Sequence, residues 1–498
     1  MSKKNLIIGV SILLCIFFIS NSNAYPINYI TLENKFNARM EITDLYVVDL
    51  NNDGSKEIIA TSYDSKVYLL DSAANKIWQY DAKAYVYSVN AIDMENDGHL
   101  EIVAGSSRIH VLDFNRTVLK KSQRLDPAKK IVVGDFDLDG FDDIMVSTGR
   151  IRSNTVYIFN NKFETLWQKS VRGEFLWGIA MEDLDNDGKK EVIIGGSEIL
   201  VYDADKNLVW DFKPDGGVRD LLVDDIDDDG KKDVLVGSYP NFYVLTNDGR
   251  LKWSYKTKST VKSIHVTDLE HDGKKEIIIG SDKAYLFDAK GDLIWSFNTS
   301  GDVNFVHSGD LNWDDTEEIA VASKRIYVLG KDGSVQWEYE PYRAAMKLLI
   351  TDVDNDGRND LVVGGLDNTV YLFKAREVYI RGIQSYSLYE EAEKLYNKGN
   401  YSGAKSKIEE AIYIGNRWNI GKCKEDFNKC NSLLQKINEK LPSTTTTTTT
   451  TTTLPITTII EETTTTTLPG GGGTGFIIPA VIIFIILVAV IIYLIKRR

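Results

Sequence analysis

Short apolar runs recur along the chain in a fixed order around acidic loops. Runs such as "LYVVDL" and "LLVDDI" precede a loop, and "EIIATS", "EIVAGS", "EVIIGG", "DVLVGS" or "DLVVGG" follow it. A third run reads "KVYLLD", "RIHVLD", "AYLFDA" or "TVYLFK", and a fourth often carries tryptophan, as in "KIWQYD", "LVWDFK", "LKWSYK", "LIWSFN" and "VQWEYE". Apolar, β-prone runs bounded by turn residues predict strands. Four strands per repeat make one blade of a propeller.

The loops set the number of blades. "DLNNDGSKE" begins at Asp49, and related nonapeptides begin at Asp93, Asp135, Asp183, Asp225, Asp268, Asp310 and Asp352, spaced by 44, 42, 48, 42, 43, 42 and 42 residues. Eight loops predict eight blades. The run "NYITLENKF" stands before the first loop where a fourth strand would sit, so it is expected to pair with the last blade and close the ring, removing the exposed edge. Trp78, Trp167, Trp210, Trp253, Trp295 and Trp337 occupy equivalent fourth-strand positions, with Lys120 and Arg381 in blades two and eight. Packing between neighbouring blades is the expected role of these tryptophans.

From Ser387 the apolar period becomes helical. "LYEEAEKLYNKGNYSGAKSKIEEAIYI" puts Leu388, Ala392, Leu395, Ala404, Ile408 and Ala411 on facing stripes across Gly399 and Asn400, and "KEDFNKCNSLLQKINEK" supplies a further helix. This pair resembles a single tetratricopeptide repeat, and one repeat cannot form an array. The fold expected is all-β, an eight-bladed β-propeller over residues 25–383, followed by a small α-helical, tetratricopeptide-like segment over 384–442. A threonine, proline and glycine-rich stalk over 443–475, a transmembrane helix over 476–495 and a cytoplasmic tail over 496–498 complete it.

Each loop has a chemistry of its own. Acceptor side chains at positions one, three, five and nine, with a carbonyl at seven, supply oxygens around a hard cation, and glycine at six permits the turn; calcium is the natural occupant. An EF-hand would place its last ligand at position twelve between helices, whereas these loops join strands. The competing reading is a set of plain Asp-Gly hairpin turns. The loops resemble the FG-GAP or VCBS-type repeats of integrin α-subunit propellers and microbial surface proteins, over roughly residues 40 to 375. That resemblance implies up to eight structural calcium ions. The implied ligands are Asp49, Asn51, Asp53 and Glu57 in blade one; Asp93, Glu95, Asp97 and Glu101 in blade two; and Asp135, Asp137, Asp139 and Asp143 in blade three. Blades four and five offer Asp183, Asp185, Asp187 and Glu191, then Asp225, Asp227, Asp229 and Asp233. Blades six to eight offer Asp268, Glu270, Asp272 and Glu276; Asp310, Asn312, Asp314 and Glu318; and Asp352, Asp354, Asp356 and Asp360. Blade seven departs from the pattern, with Asp315 in place of the glycine.

Charge and termini refine the picture. Residues 1–24 run from Lys3 and Lys4 through an apolar stretch to "SNA", the order of a cleaved secretory signal. Residues 476–495 are nearly unbroken apolar positions followed by "KRR", which reads as a single-pass anchor with the bulk of the chain outside. Without the five basic residues of these two ends, the formal charge of −14 becomes −19, which repels nucleic acid and would be offset to −3 by eight doubly charged ions. At about 3.1 Å per residue the stalk would reach about 100 Å if extended. Sequons stand at Asn115, Asn298 and Asn400. Of three cysteines Cys15 lies in the leader, and a bridge between Cys423 and Cys430 requires a break in the helix near Gly421.

No convergent catalytic constellation stands out, so the chain is expected not to be an enzyme. The "GGGGTG" string at 470–475 lacks the strand and βαβ unit of a dinucleotide site. His265 and His307, each three residues before a loop on adjacent blades, are the one histidine pair expected to share the channel, in a metal or proton role or as ordinary strand residues. The tryptophan rhythm also resembles quinoprotein propellers, which implies as an alternative an extracytoplasmic enzyme or assembly scaffold. The expected function is a calcium-stabilised, membrane-anchored surface propeller that binds an extracellular protein or glycan in adhesion, with no nucleic-acid partner.

Overall fold

The computed structural model describes residues 29–150, 153–171, 176–418 and 427–441. The leader, the stalk, the apolar run 476–495, the basic tail, Gly421 and Cys423 lie outside the described residues. Among those described, no helix is long and apolar enough to cross a membrane.

Eight separate four-stranded antiparallel sheets form the ring. Seven run in chain order, starting with Ile42–Val48, Glu57–Ser62, Lys66–Leu70 and Lys76–Asp81 in blade one. The eighth takes Ala345–Thr351, Asp360–Gly365 and Thr369–Ala375 from the end of the ring, and Ile30–Asn37 from its start. Ile30 pairs with Ala375 and Asn37 with Thr369, so the N-terminal strand closes the ring as expected. The fourth-strand place in blade eight is therefore taken by this strand. Arg381, assigned there from sequence spacing, lies instead in the helix that begins at Glu377.

Each blade buries both faces against its neighbours. Leu50, Ile59, Val67 and Leu69 of blade one meet Val89, Ile102, Ala104 and Leu112 of blade two, and an equivalent apolar cluster fills each remaining junction. This explains why second strands such as "EIIATS" and "DLVVGG" are buried at every position and show no alternation. Fourth strands lie at the rim and alternate. Their tryptophans stitch adjacent blades: the indole N–H groups of Trp78, Trp210 and Trp295 donate to the carbonyls of Phe114, Asn247 and Lys331, at 2.7, 2.8 and 2.8 Å. In blade two the Lys120 ammonium replaces the indole and donates to the Asn161 carbonyl at 2.5 Å.

After the ring come α1 (Glu377–Asn397), α2 (Tyr401–Trp418) and α3 (Phe427–Lys440). The helical segment thus begins inside the stretch expected to belong to the propeller. Ala392, Ala404, Ile408, Ala411, Leu433 and Ile437 form its own core, with the packing the sequence stripes predict. Gly399, at φ 77°, turns the chain between α1 and α2, and the Asn400 Oδ1 accepts the Gly403 N–H at 3.0 Å to cap α2. Cys430 is buried and disulfide-bonded.

Two glycines separate the cost of backbone strain from that of interblade packing. A Cβ at Gly291, φ +91°, would lie 2.6 Å from the Trp253 ring, while one at Gly273, φ +83°, would meet nothing within 4 Å. Gly273→Ala is expected to cost about 1 kcal/mol and Gly291→Ala about 2–4 kcal/mol in chemical denaturation of the full chain. Equal losses would show that the indole yields freely.

Candidate metal centre and channel mouth

The acidic loops share one scaffold. The fourth residue is left-handed in every blade, from φ 52° at Asn96 to φ 62° at Asn186. In the first loop the Asp49 carboxylate accepts the N–H groups of Asp53 and Gly54 at 3.2 and 2.9 Å, and the Glu57 carboxylate accepts that of Leu50 at 3.0 Å. Blade seven keeps this shape with Asp315 at φ 64° in the glycine position, and the Asp310 carboxylate still accepts the Asp315 N–H at 3.2 Å. The loops also interlock: the side-chain amides of Asn52 and Asn96 donate to the carbonyls of Gly98 and Gly140 in the next blade, at 3.0 and 3.1 Å.

Within that common scaffold the acceptors differ. Among the described residues, three carboxylates come within 4.8 Å of one another in blades three, four, five and eight, as Asp135, Asp137, Asp143; Asp183, Asp185, Glu191; Asp225, Asp227, Asp229; and Asp352, Asp354, Asp356. In blades five and eight the protein supplies its own cation. The Lys252 ammonium lies 2.7 Å from Asp227 and 2.8 Å from Asp233. Lys374 pairs with Asp354 and lies 3.6 Å from Asp360. Amides enter the cages of blades one and seven, where Asn51 Nδ2 donates to Asp53 at 3.0 Å and Asn312 Nδ2 to Glu318 at 2.5 Å. In blade six Glu270 turns to Lys331, and blade two likewise carries a longer glutamate, Glu95, at the third position.

Blade three passes the sharper test of fit. Asp143 is fully buried, and its Oδ1 and the Oδ1 of Asp135 are buried with no hydrogen-bond partner. Burial, and then the Asp137 and Asp139 charges, push Asp143 up to about 7. Two orphaned carboxylate oxygens facing one point in a cage of acids suit a hard divalent cation. Blade four gathers three carboxylates in the same way, without the orphaned oxygens, and the residue before its tryptophan is Val209, where blade five has Lys252. The resemblance implies up to eight calcium sites, and among the described residues the acceptors gathered for them differ from blade to blade. Blades three and four are open to an ion, and the cages of one, five, seven and eight already hold a donor of the protein's own.

His265 and His307 stack with centroids 4.5 Å apart. His265 Nε2 meets the Ser308 hydroxyl at 3.0 Å, and that hydroxyl donates to Glu317 at 2.5 Å. Burial holds His265 at about 3, and His307 is lowered too. Both are neutral, partnered strand residues.

The opposite end of the channel holds residues that the sequence reading passed over. Six residues before each loop's first aspartate stand Thr43, Tyr87, Lys129, Trp177, Arg219, Lys262, Asn304 and Met346. This position varies in chemistry from blade to blade, and that variation inside an otherwise constant repeat is the signal that marks it. From blade two to blade five it builds a ladder of rings and cations. The Lys129 ammonium lies 3.4 Å from the Tyr87 centroid and 5.6 Å from that of Trp177, and the Arg219 guanidinium 4.3 Å from Trp177. A cavity of about 280 Å³ opens among them, and a second, of about 440 Å³, shares Tyr87, Lys129 and Trp177 and reaches Tyr63 and Tyr85.

Comparison with known proteins agrees with this architecture. Residues 135–194 and 225–279 match the FG-GAP-like repeat, and residues 27–130 and 286–414 match the λ-carrageenase β-propeller domain. No curated protein sequence matches the chain. Among solved structures the chain is similar to the V. cholerae biofilm matrix protein Bap1, with TM-score 0.54 and 14% identity over 70% of this chain and 91% of that one. It is also similar to BamB from Moraxella catarrhalis, with TM-score 0.50 and 17% identity over 69% and 99%. At these identities the likeness is one of fold. With eight blades in place, the repeat matches identify the ring as an FG-GAP-type β-propeller.

Two measurements check the metal assignment. Removing the internal ammonium by Lys252→Met is expected to raise the number of calcium ions bound per chain, read by native mass spectrometry, while Lys290→Met leaves it unchanged. Burial first, and then neighbouring acids, raise Asp143 to about 7. This group holds a proton in the cation-free ring that the unfolded chain releases near pH 4. Its contribution is complete below that pH and is lost as pH rises through about 7. Calcium should therefore raise the melting temperature more at pH 8 than at pH 5, by RT ln(1 + [Ca]/Kd), about 2.7 kcal/mol per site at a hundredfold excess. An equal rise at both pH values would contradict the assignment.

Proposed function

We propose that this protein is a cell-surface recognition propeller, stiffened by calcium in its acidic loops, that binds a glycan or protein ligand at the channel mouth without turnover. The carrying observation is the contrast between the two ends of the ring. The loop end repeats the same residues because each blade needs them for the same turn and junction. The mouth end departs from the repeat at equivalent positions, and an irregular ring of polar and aromatic side chains on a rigid, regular frame is how a propeller acquires a ligand.

Other findings support the reading. The match to the λ-carrageenase propeller domain favours a polysaccharide among possible ligands, and the fold is shared with a biofilm matrix protein. The basic-apolar-small order of residues 1–24 and the apolar run 476–495 support an extracellular ring held on a membrane by a threonine-rich stalk. The carrageenase match also favours a second reading, in which the ring is part of a polysaccharide-cleaving enzyme.

One set of assays separates these readings. The immobilised full-length chain is expected to retain a subset of polysaccharides on a glycan array in the presence of calcium, with no new reducing ends over prolonged incubation. Reproducible chain cleavage would replace recognition by catalysis, and retention of no glycan at all would leave a protein ligand.

A further inference from the structure

The structure assigns an oxyanion site, for a sulfate or phosphate group, to the outer edge of the ring between blades one and two, with Arg108 and Lys121 as its donors. The site shares no residue with the channel mouth and is independent of the recognition reading above. Three observations carry it.

The first is a cavity of about 570 Å³ between the fourth strand of blade one, Lys76–Asp81, and the outer strands of blade two, Ile109–Leu112 and Val118–Lys121. One third-strand position is tyrosine in six of the eight blades, as Tyr68, Tyr157, Tyr243, Tyr285, Tyr327 and Tyr371, and in blade two it is His110. The phenols of Tyr68, Tyr285 and Tyr371 reach out to donate to Asp64, Asp282 and Asp367, at 2.5, 2.9 and 2.6 Å. The shorter imidazole of His110 bonds to hydroxyls instead, Tyr80 at 3.1 Å on Nδ1 and Ser106 at 3.0 Å on Nε2. Ser107 stands where blade six has Asp282. Blade two thus lacks both the phenol and the acid that the phenol would reach.

The second is a reversal of charge within the repeat. In blade seven Arg325, on the third strand, pairs with Glu338 and Glu340 of the fourth at 3.0 and 2.7 Å. In blade one Lys66 pairs with Asp81 at 3.0 Å. Arg108 holds the same place in blade two. His110 lies opposite Lys121 as Tyr327 lies opposite Glu338, so Lys121 and Gln123 stand where blade seven has its two glutamates. The cation is kept, and its acids are exchanged for a second cation and an amide. One acid lines the cavity among the described residues, Asp81, and the Lys83 and Lys66 ammonium groups already hold its carboxylate at 2.8 and 3.0 Å. Burial and then the Lys121 and Arg108 charges lower His110 to about 4, the response of a base beside like charge.

The third is the free capacity of the donors. Arg108 Nη1 donates to the Ser122 carbonyl at 2.7 Å, which fixes the guanidinium and leaves the rest of its fork without a partner among the described residues. The Lys121 ammonium lies 5.6 Å from the Tyr80 ring centroid, and an aromatic face positions a cation without neutralising it. A fixed guanidinium and an ammonium at one concavity suit an anion with several oxygens.

The test is equilibrium dialysis of the full-length chain against radiolabelled sulfate and phosphate, with melting curves to report folding. Saturable binding of at least one of them is expected. Lys121→Glu, which gives blade two the acid of blade seven, should weaken it at least tenfold, and Arg108→Gln should do the same. Arg108→Lys should restore part of the loss, and Arg325→Gln should change nothing because that arginine already has its acids. Lys121 is exposed, so its variant keeps the test decisive if Arg108→Gln does not fold. Competition by monosaccharide sulfate and phosphate esters identifies the source of the group. Displacement by an ester at about tenfold lower concentration than by the matching inorganic ion would uphold the site with an esterified ligand, and equal displacement would uphold it with the free ion. No saturable binding, or binding that folded Lys121→Glu and Arg108→Gln retain in full, would overturn the site and leave the channel-mouth reading untouched.

Discussion

Everything in this ring depends on the burial of two apolar faces per blade. A four-stranded sheet with its inner strands apolar on both sides cannot stand alone in water, and each of the clusters described above draws residues from two neighbouring blades. Such a stack is stable only when it has no end. The strand Ile30–Asn37 removes the end by completing blade eight, so closure is made by pairing the two termini of the ring domain and not by any special residue. The tryptophans follow from the same demand. At the rim, where the apolar strips run out, an indole spans the gap to the next blade and spends its one donor on a turn carbonyl there. Lys120 shows that the requirement is for a donor with an apolar stem, since its ammonium reaches the corresponding carbonyl in blade three.

Once the ring is rigid, its two ends are free to differ. The acidic loops lie where inner and second strands meet, a place with little room for variation because the turn needs a left-handed fourth residue and a carboxylate to hold the sixth N–H. Carboxylates gathered for that purpose repel one another. The protein meets the repulsion in several ways: a lysine in blades five and eight, an asparagine amide in blades one and seven, and an open cage in blades three and four. A divalent cation in the open cages would be one further solution to a problem that the repeat creates. At the other end the chain enters each blade from the rim of the last, and the residue there faces the channel without being needed by the turn. Its chemistry is open, and the ladder of Tyr87, Lys129, Trp177 and Arg219 occupies that freedom.

The repeat period, the strand order, the number of blades, the closing strand and the helical pair were legible from sequence. All of them follow from local patterning or from a count, and the eight loops in phase left little choice of architecture. The position of Arg381 was misjudged because spacing alone cannot say that a fourth strand has already been supplied from the other terminus. The start of α1 at Glu377 was missed for a related reason, since Val378, Tyr379 and Ile380 follow the last strand closely and suit a strand as well as a helix.

The individual fate of each loop was a matter for the tertiary structure. Asp225 to Asp233 reads in sequence as a better cation cage than Asp183 to Glu191, with more aspartates in the same spacing. The fold reverses that order by bringing Lys252 from a strand at the far side of the sheet into the cage, across a separation in sequence that no motif encodes. The mouth is the same case on a larger scale. Tyr87, Lys129, Trp177 and Arg219 come from four blades and are ordinary residues where they stand in the chain. Sequence by itself determined the periodic frame, because a repeat needs only its own residues and those of its neighbour. Which charges meet, and so what the frame can hold, was decided only when the ring closed and placed residues more than forty positions apart within a few ångströms of one another.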